Sequence, residues 1–394
     1  MTTSDSGRTA DDDGRVEGGR AVLLITYVLR GAGVLLLALV LFPVYRLLDR
    51  PDAGLFLRGS IGAAELSRTM LFLGSVITIA VAVIISRSVD TTAIDRALAS
   101  LGRKLAAVPT LWFAGGLALI TFALTLAFSL VVLEGKPNLV DAMVQLVHGR
   151  FIAAGKLAGP GDEFLEFWQL QNSLVTPNGW VSQYPPGYVT ILAAGLRLGM
   201  VQLVGPLLAA MTVLFTALAA QRLLREDMVT ARLGAVMLCF CPFLIGLAGA
   251  FMNHVGAAAF SSAAVYLALR SRDGGKLWWA LLTGLAVGIV LSIRPLSAVV
   301  ATAVVAIVWL GTGADTSRSR IGEFLKRSLA ATLGISPLLV GLAAYNQFFF
   351  GSPLTFGYTA SQGPLVGPGF HRDPTGAIYG PIQAIGFTSS DLIT

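Results

Sequence analysis

Nine stretches of this chain are almost unbroken apolar runs: 24–48, 70–86, 108–133, 204–221, 233–250, 255–270, 277–292, 296–311 and 328–347. The middle of every run from 70–86 onward lacks Asp, Glu, Lys and Arg. A helix crossing a bilayer needs about 20 apolar residues. Within lipid the backbone must satisfy its own polar groups, which leaves helices as the natural form of such runs. Hydrophobic residues make up 55% of the chain and charged residues 13%, against about 25% charged in ordinary soluble domains. These numbers exclude a soluble enzyme, a disordered chain and a disulfide scaffold. Cys239 and Cys241, the two cysteines, are too few for a framework. The fold class expected is an all-α polytopic membrane protein of about nine transmembrane helices. The first run is no cleaved signal peptide, because it is too long and follows a polar tail.

Charge placement orients this map. With the N-terminus in the cytoplasm, the inside segments hold 17 Lys and Arg in 79 residues, and the outside segments 9 in 143. This asymmetry follows the positive-inside rule and accounts for the net charge of +6 without nucleic acid as a partner. Residues 1–23 read as a disordered cytoplasmic tail, 24–107 as two N-terminal spans, and 108–347 as the core. Residues 187–200 would invert everything downstream if they crossed the membrane, so they are expected to form a short helix at the outer surface. Two outside segments are long, 134–203 and 348–394. Their aromatics, Trp168, Trp180, Tyr184, Tyr188, Phe356, Tyr358 and Tyr379 among them, argue for packing at the water–lipid boundary.

Five motifs gather on that side. Asn138 and Gly155 bound an expected helix as N-cap and C-cap. On it Asp141, Gln145 and His148 share one face, expected to turn to water or a cleft, opposite Val140, Met143, Val144, Val147 and Phe151. Ser182-Gln183-Tyr184-Pro185-Pro186-Gly187-Tyr188 is a stiff entry to a helix, with a proline suited to its first position. Arg294-Pro295 breaks the hairpin between two spans and carries its one charge; a guanidinium there suits phosphate oxygens or lipid head groups. Met252-Asn253-His254 forms an outer turn. Asn346-Gln-Phe-Phe-Phe-Gly351-Ser-Pro353-Leu-Thr-Phe-Gly357-Tyr358 ends the last run. An acid, an Arg and a His beside an aromatic loop at one leaflet suggest a site for a lipid-linked, anionic substrate.

In their order these motifs resemble the polytopic GT-C glycosyltransferases. The nearest likeness is to bacterial protein mannosyltransferase-like proteins (family 39-like), which are related to the aminoarabinose transferases, over 108–394. The resemblance implies sugar transfer from a polyprenyl-phosphate donor to an acceptor hydroxyl at the external leaflet. Asp141 would be the general base, and Arg294, with His254, would stabilise the leaving phosphate. Tyr184 and Tyr188 would stack on sugar or prenyl groups, with Gln145, His148, Asn346 and Tyr358 as further binding residues. Asp162, Glu163 and Glu166 form an acidic cluster holding a backup base. The acceptor would be a glycan, lipid or protein. Two departures stand out. Asp141 is followed by Ala142 where the family usually has an acidic pair. The family also continues beyond the point where this chain stops, so 348–394 is expected to be a truncated external segment.

No cofactor is required by this chemistry. Three histidines are too few for a multi-histidine metal centre, whereas a divalent cation on carboxylates stays open. The sequence has no Walker loop and no Gly-rich dinucleotide turn. A transporter or lipid flippase is the competing class. Such proteins bind at the midplane on broken helices with intramembrane charges, whereas here the polar candidates gather at one face. A non-catalytic assembly subunit on the same scaffold is the third.

Overall fold

The computed structural model describes residues 107–161, 165–168, 170–274, 276–311 and 318–363, with 371–372, 378–379 and isolated positions near 100. The runs expected at 24–48 and 70–86, and residues Asp162 and Glu163, lie outside the described residues. The chain divides into two units, Met1–Asp95 with Pro368–Thr394, and Arg96–Gly367. Of the first, a two-residue ladder is described, β3 (His371–Arg372) antiparallel to β4 (Ile378–Tyr379). All that follows concerns the second.

Its first helix, α1 (Thr110–Ala127), begins after Pro109 and widens into a π-helical turn at Phe128–Val132. The long outer segment then folds as α2 (Val140–Ala153), the short α3 (Leu165–Trp168), a hairpin of β1 (Ser173–Thr176) and β2 (Gly179–Ser182), and α4 (Pro186–Arg197). A single 3-10 turn, Val201–Leu203, leads into α5 (Val204–Leu223). There follow α6 (Met228–Cys239), α7 (Pro242–Gly249), α8 (Asn253–Gly274), α9 (Leu277–Ile293), α10 (Pro295–Leu310), α11 (Arg318–Phe350) and α12 (Gly357–Gln362).

Proline placement explains most of the breaks. Pro242 and Pro295 each occupy the first position of a helix, where the missing N–H is no loss. The residue before each is forced out of the helical region: Cys241 (φ −67°, ψ 113°) and Arg294 (φ −145°, ψ 94°) are extended. The run expected at 233–250 is therefore two helices, bent by 42°.

Among the described residues three helices are long and apolar enough to cross a membrane: Thr110–Val132, Val201–Leu223 and Ile321–Phe350. The bent pair adds a fourth if it is taken as one span. The runs at 277–292 and 296–311 are apolar helices of 17 and 16 residues. The expected short helix after Pro185 is present as α4, with Pro186 at its first position.

The main core is built from small residues. Ala209, Ala217, Ala259, Ala264, Ala268 and Ala280 are fully buried among α5, α8 and α9. Close backbone approach replaces large side chains, as in helix packing within lipid. Gly284 of α9 faces the carbonyl of Ala331 on α11, and Gly334 of α11 faces the carbonyl of Leu281 on α9; a Cβ at either glycine would overlap its neighbour. The outer segment has its own core of Val144, Trp180 and Tyr184, with Val147, Phe151, Trp168 and Tyr358 against it.

Candidate functional site

The site starts from α2, and the structure turns that helix over. The polar stripe faces inward: Gln145 and His148 are fully buried, while Val140 and Met143 are exposed. Partners explain the orientation. The Ser182 backbone N–H donates to His148 Nδ1 at 3.3 Å, so that nitrogen is unprotonated. Nε2–H therefore donates to the Leu157 carbonyl at 3.0 Å. Burial pushes the imidazole down from 6.5 to about 4, against the opposing pull of that carbonyl, so His148 is a neutral strut between α2, β2 and the 157 loop. Gln145 Nε2 donates back to the Asp141 carbonyl at 2.8 Å. Both residues, expected to bind substrate, are buried; His148 has both ring nitrogens engaged inside the fold, while Gln145 Oε1 has no hydrogen-bond partner among the described residues. Asn138 makes no cap: the helix begins at Val140 after an extended Leu139, whereas Gly155 (φ +81°) ends it as expected.

Asp141 lies in the first turn of α2 and is half-buried. Asn172 Nδ2 donates to its Oδ1 at 2.6 Å. The Tyr184 hydroxyl lies near the same carboxylate; burial first, and this carboxylate second, raise the phenol well above its ordinary value. Tyr184 meets Tyr358 edge to face, with ring centroids 5.5 Å apart. Tyr358 is pushed up to about 12, chiefly by burial, with Arg294 pulling it down and Asp141 pushing it up.

Two glycines set this meeting. A Cβ on Gly357 would strike the backbone of Gln183, so the segment after β2 that carries Tyr184 and the helix carrying Tyr358 touch main chain to main chain. Gly187 approaches Ser292 just as closely, which brings the entry of α4 against the end of α9, two residues before Arg294.

Arg294 is thrown sideways by its extended, pre-proline backbone. Its Nη1 donates to Asn253 Oδ1 at 3.2 Å and to His254 Nε2 at 2.8 Å. An Arg can only donate, so His254 Nε2 is an acceptor and the imidazole carries its proton on Nδ1. That Nδ1 and Asn253 Nδ2 are buried and have no hydrogen-bond partner. Just before them Phe251 holds φ +61°, an uncommon conformation for a bulky residue, with its ring buried. The charges of Asp141 and Arg294 both act on His254 and on Tyr358, and Asp141 and Tyr358 act on Tyr184, so the five side chains form one electrostatic neighbourhood.

The structure thus brings together Asp141, Tyr184, His254, Arg294 and Tyr358. It places the other expected residues elsewhere. Tyr188 belongs to the main core, its ring 3.1 Å from where a Gly256 Cβ would stand. Asn346 is buried and donates to the Pro353 carbonyl at 3.2 Å, closing the turn after α11. Glu166 is exposed on α3. Among the described residues no group of three His, Cys, Asp or Glu gathers as a metal centre. Sequence reasoning missed Asn172 and the hairpin that follows it. The signal was there: Pro177-Asn178-Gly179 punctuates two short runs rich in Val, Thr and Trp, a hairpin pattern.

Comparison with protein-family models, with curated proteins and with solved structures gives no match.

Proposed function

We propose that this chain is an integral membrane glycosyltransferase of the GT-C kind, moving a sugar from a polyprenyl-phosphate donor to an acceptor hydroxyl at the external leaflet. The observation that carries the reading is that a half-buried carboxylate, Asp141, lies within electrostatic range of a cationic and donor-rich cluster of Arg294, Asn253 and His254. Such a pair suits a displacement in which one end takes a proton and the other receives negative charge. Asp141 accepts the acceptor hydroxyl's proton. The freed oxygen bonds to C1 of the sugar as the bond from C1 to the phosphate oxygen breaks, and the configuration at C1 inverts. The phosphate leaves with the bonding pair, stabilised by Arg294 and by the unpaired N–H groups of Asn253 and His254. Tyr184 and Tyr358 give aromatic edges beside the carboxylate for the sugar.

In this reading the apolar helices cross the membrane about nine times, with the N-terminus cytoplasmic. The site then opens at the external face. The exposed Val140 and Met143 of α2 suit a helix lying against lipid.

The test is turnover of a panel of radiolabelled polyprenyl-phosphate sugars by the full chain in lipid nanodiscs, with Asp141→Asn alongside. Release of sugar from one donor by wild type, and loss of at least about 100-fold in the variant, is expected. Equal rates in the two would remove Asp141 as base. Silence with every donor would return the chain to the transporter class.

A further inference from the structure

Asn172 stands at the entry to β1 in the left-handed conformation, φ +64°. Two of its polar groups tie different parts of the site. The side-chain Nδ2 donates to Asp141 Oδ1 at 2.6 Å. A carboxylate can only accept, so the amide nitrogen is fixed on that side. The backbone carbonyl accepts from the Gln183 N–H at 3.0 Å. Gln183 directly precedes Tyr184, whose phenol faces the same Asp141 carboxylate. Gln183 is also the residue on which Gly357 closes, bringing Tyr358 with it. One residue therefore connects the acid on α2 to the segment after β2 that carries Tyr184 and against which α12 brings Tyr358.

We infer that Asn172 is the positioning residue for Asp141. This rests on the reading of Asp141 as the proton acceptor. Holding Oδ1 fixes the rotation of the carboxylate, so its remaining lone pairs keep one direction toward an incoming hydroxyl. The side chain has to be a neutral donor. A cation here would neutralise the base, and a carboxylate would repel it. It also has to accept a positive φ, which Asn does more readily than most residues. Asn meets both demands at once. Thr or Ser would donate but fit the backbone poorly.

The experiment compares wild type, Asn172→Gly, Asn172→Asp and Asp141→Asn in nanodiscs with the same donor panel. Gly keeps the left-handed backbone without strain, so only the donor is removed. For Asn172→Gly, kcat is expected to fall about 10- to 100-fold with KM changed less than about twofold, the size of effect that misorientation produces. Asn172→Asp keeps the shape and regains an O–H donor only when a proton sits between the two carboxyls. Its rate relative to wild type is therefore expected to climb from pH 8 to pH 5, while the ratio for Asn172→Gly stays flat. If Asn172→Gly fails to give a monodisperse protein, the pH-dependent ratio of the isosteric variant decides alone. An unchanged kcat in Asn172→Gly, or a flat ratio in Asn172→Asp, with Asp141→Asn inactive, overturns the positioning role and leaves Asp141 as base. Turnover that survives Asp141→Asn, or no turnover by wild type, overturns the base and the positioning role together.

Discussion

Gly187 lies so close to Ser292 that a Cβ at position 187 would overlap the Ser292 hydroxyl, with the carbonyl oxygen next nearest at 2.7 Å. The contact joins the entry of α4 to the end of α9 and so sets the spacing between Tyr184 and Arg294. Gly187→Ala is expected to destabilise the fold by about 1–3 kcal/mol, the usual penalty for overpacking. Thermal unfolding in detergent checks it. Gly341→Ala, where nothing lies within 4 Å, serves as the neutral control.

Arg294 makes both of its contacts through one nitrogen, Nη1, and donates to two neutral side chains rather than to a carboxylate. Its charge is thus available to a ligand. Arg294→Ala is expected to lower kcat by about 100- to 1000-fold, as when a donor to developing charge is removed. Arg294→Lys should recover only part, because the ammonium lacks the planar fork. Equal activity of wild type and Arg294→Ala would place the leaving phosphate elsewhere.

His148 makes stability depend on pH. Its folded value is about 4 against 6.5 when unfolded, so the unfolded chain takes up the proton first. The stabilisation is complete above about pH 6.5 and drains away as pH falls toward 4. A shift of this size corresponds to about 3 kcal/mol. Unfolding midpoints of wild type should fall across that window, while those of His148→Gln, lower at neutral pH, should change less.

Asn346 distinguishes a strut from a ligand. Its amide closes the turn 347–353 through the Pro353 carbonyl. Asn346→Ala is expected to cost about 0.5–1.5 kcal/mol of stability and to leave the donor KM unchanged. A raised KM at unchanged stability would restore it to the binding residues.

What could be read from the sequence followed from strong local rules. Apolar runs gave the helices at Thr110–Ala127 and Val204–Leu223. Gly155 marked the end of α2, and prolines marked the starts of α4 and α10. Asp141, Arg294 and His254 were expected on one side, and the charges of Asp141 and Arg294 both act on His254. The facing of α2 was not. Period alone separates a polar face from an apolar one, but it cannot say which is inside. That was decided by Ser182 and the Leu157 carbonyl, partners 34 and 9 residues away. Asn172 escaped for the same reason, since its bond to Asp141 spans 31 residues. Pro242 was a local signal that the apolar run around it concealed.

The paired glycines of α9 and α11 carry a mechanical consequence. Each helix presses a bare backbone position against a carbonyl of the other, Gly284 on Ala331 and Gly334 on Leu281. Sliding by even one residue would drive a side chain into main chain. The two helices therefore behave as a single girder, with Arg294 following the end of one and Asn346 near the end of the other. Any opening that admits a bulky substrate has to come from the pieces leaning on that girder.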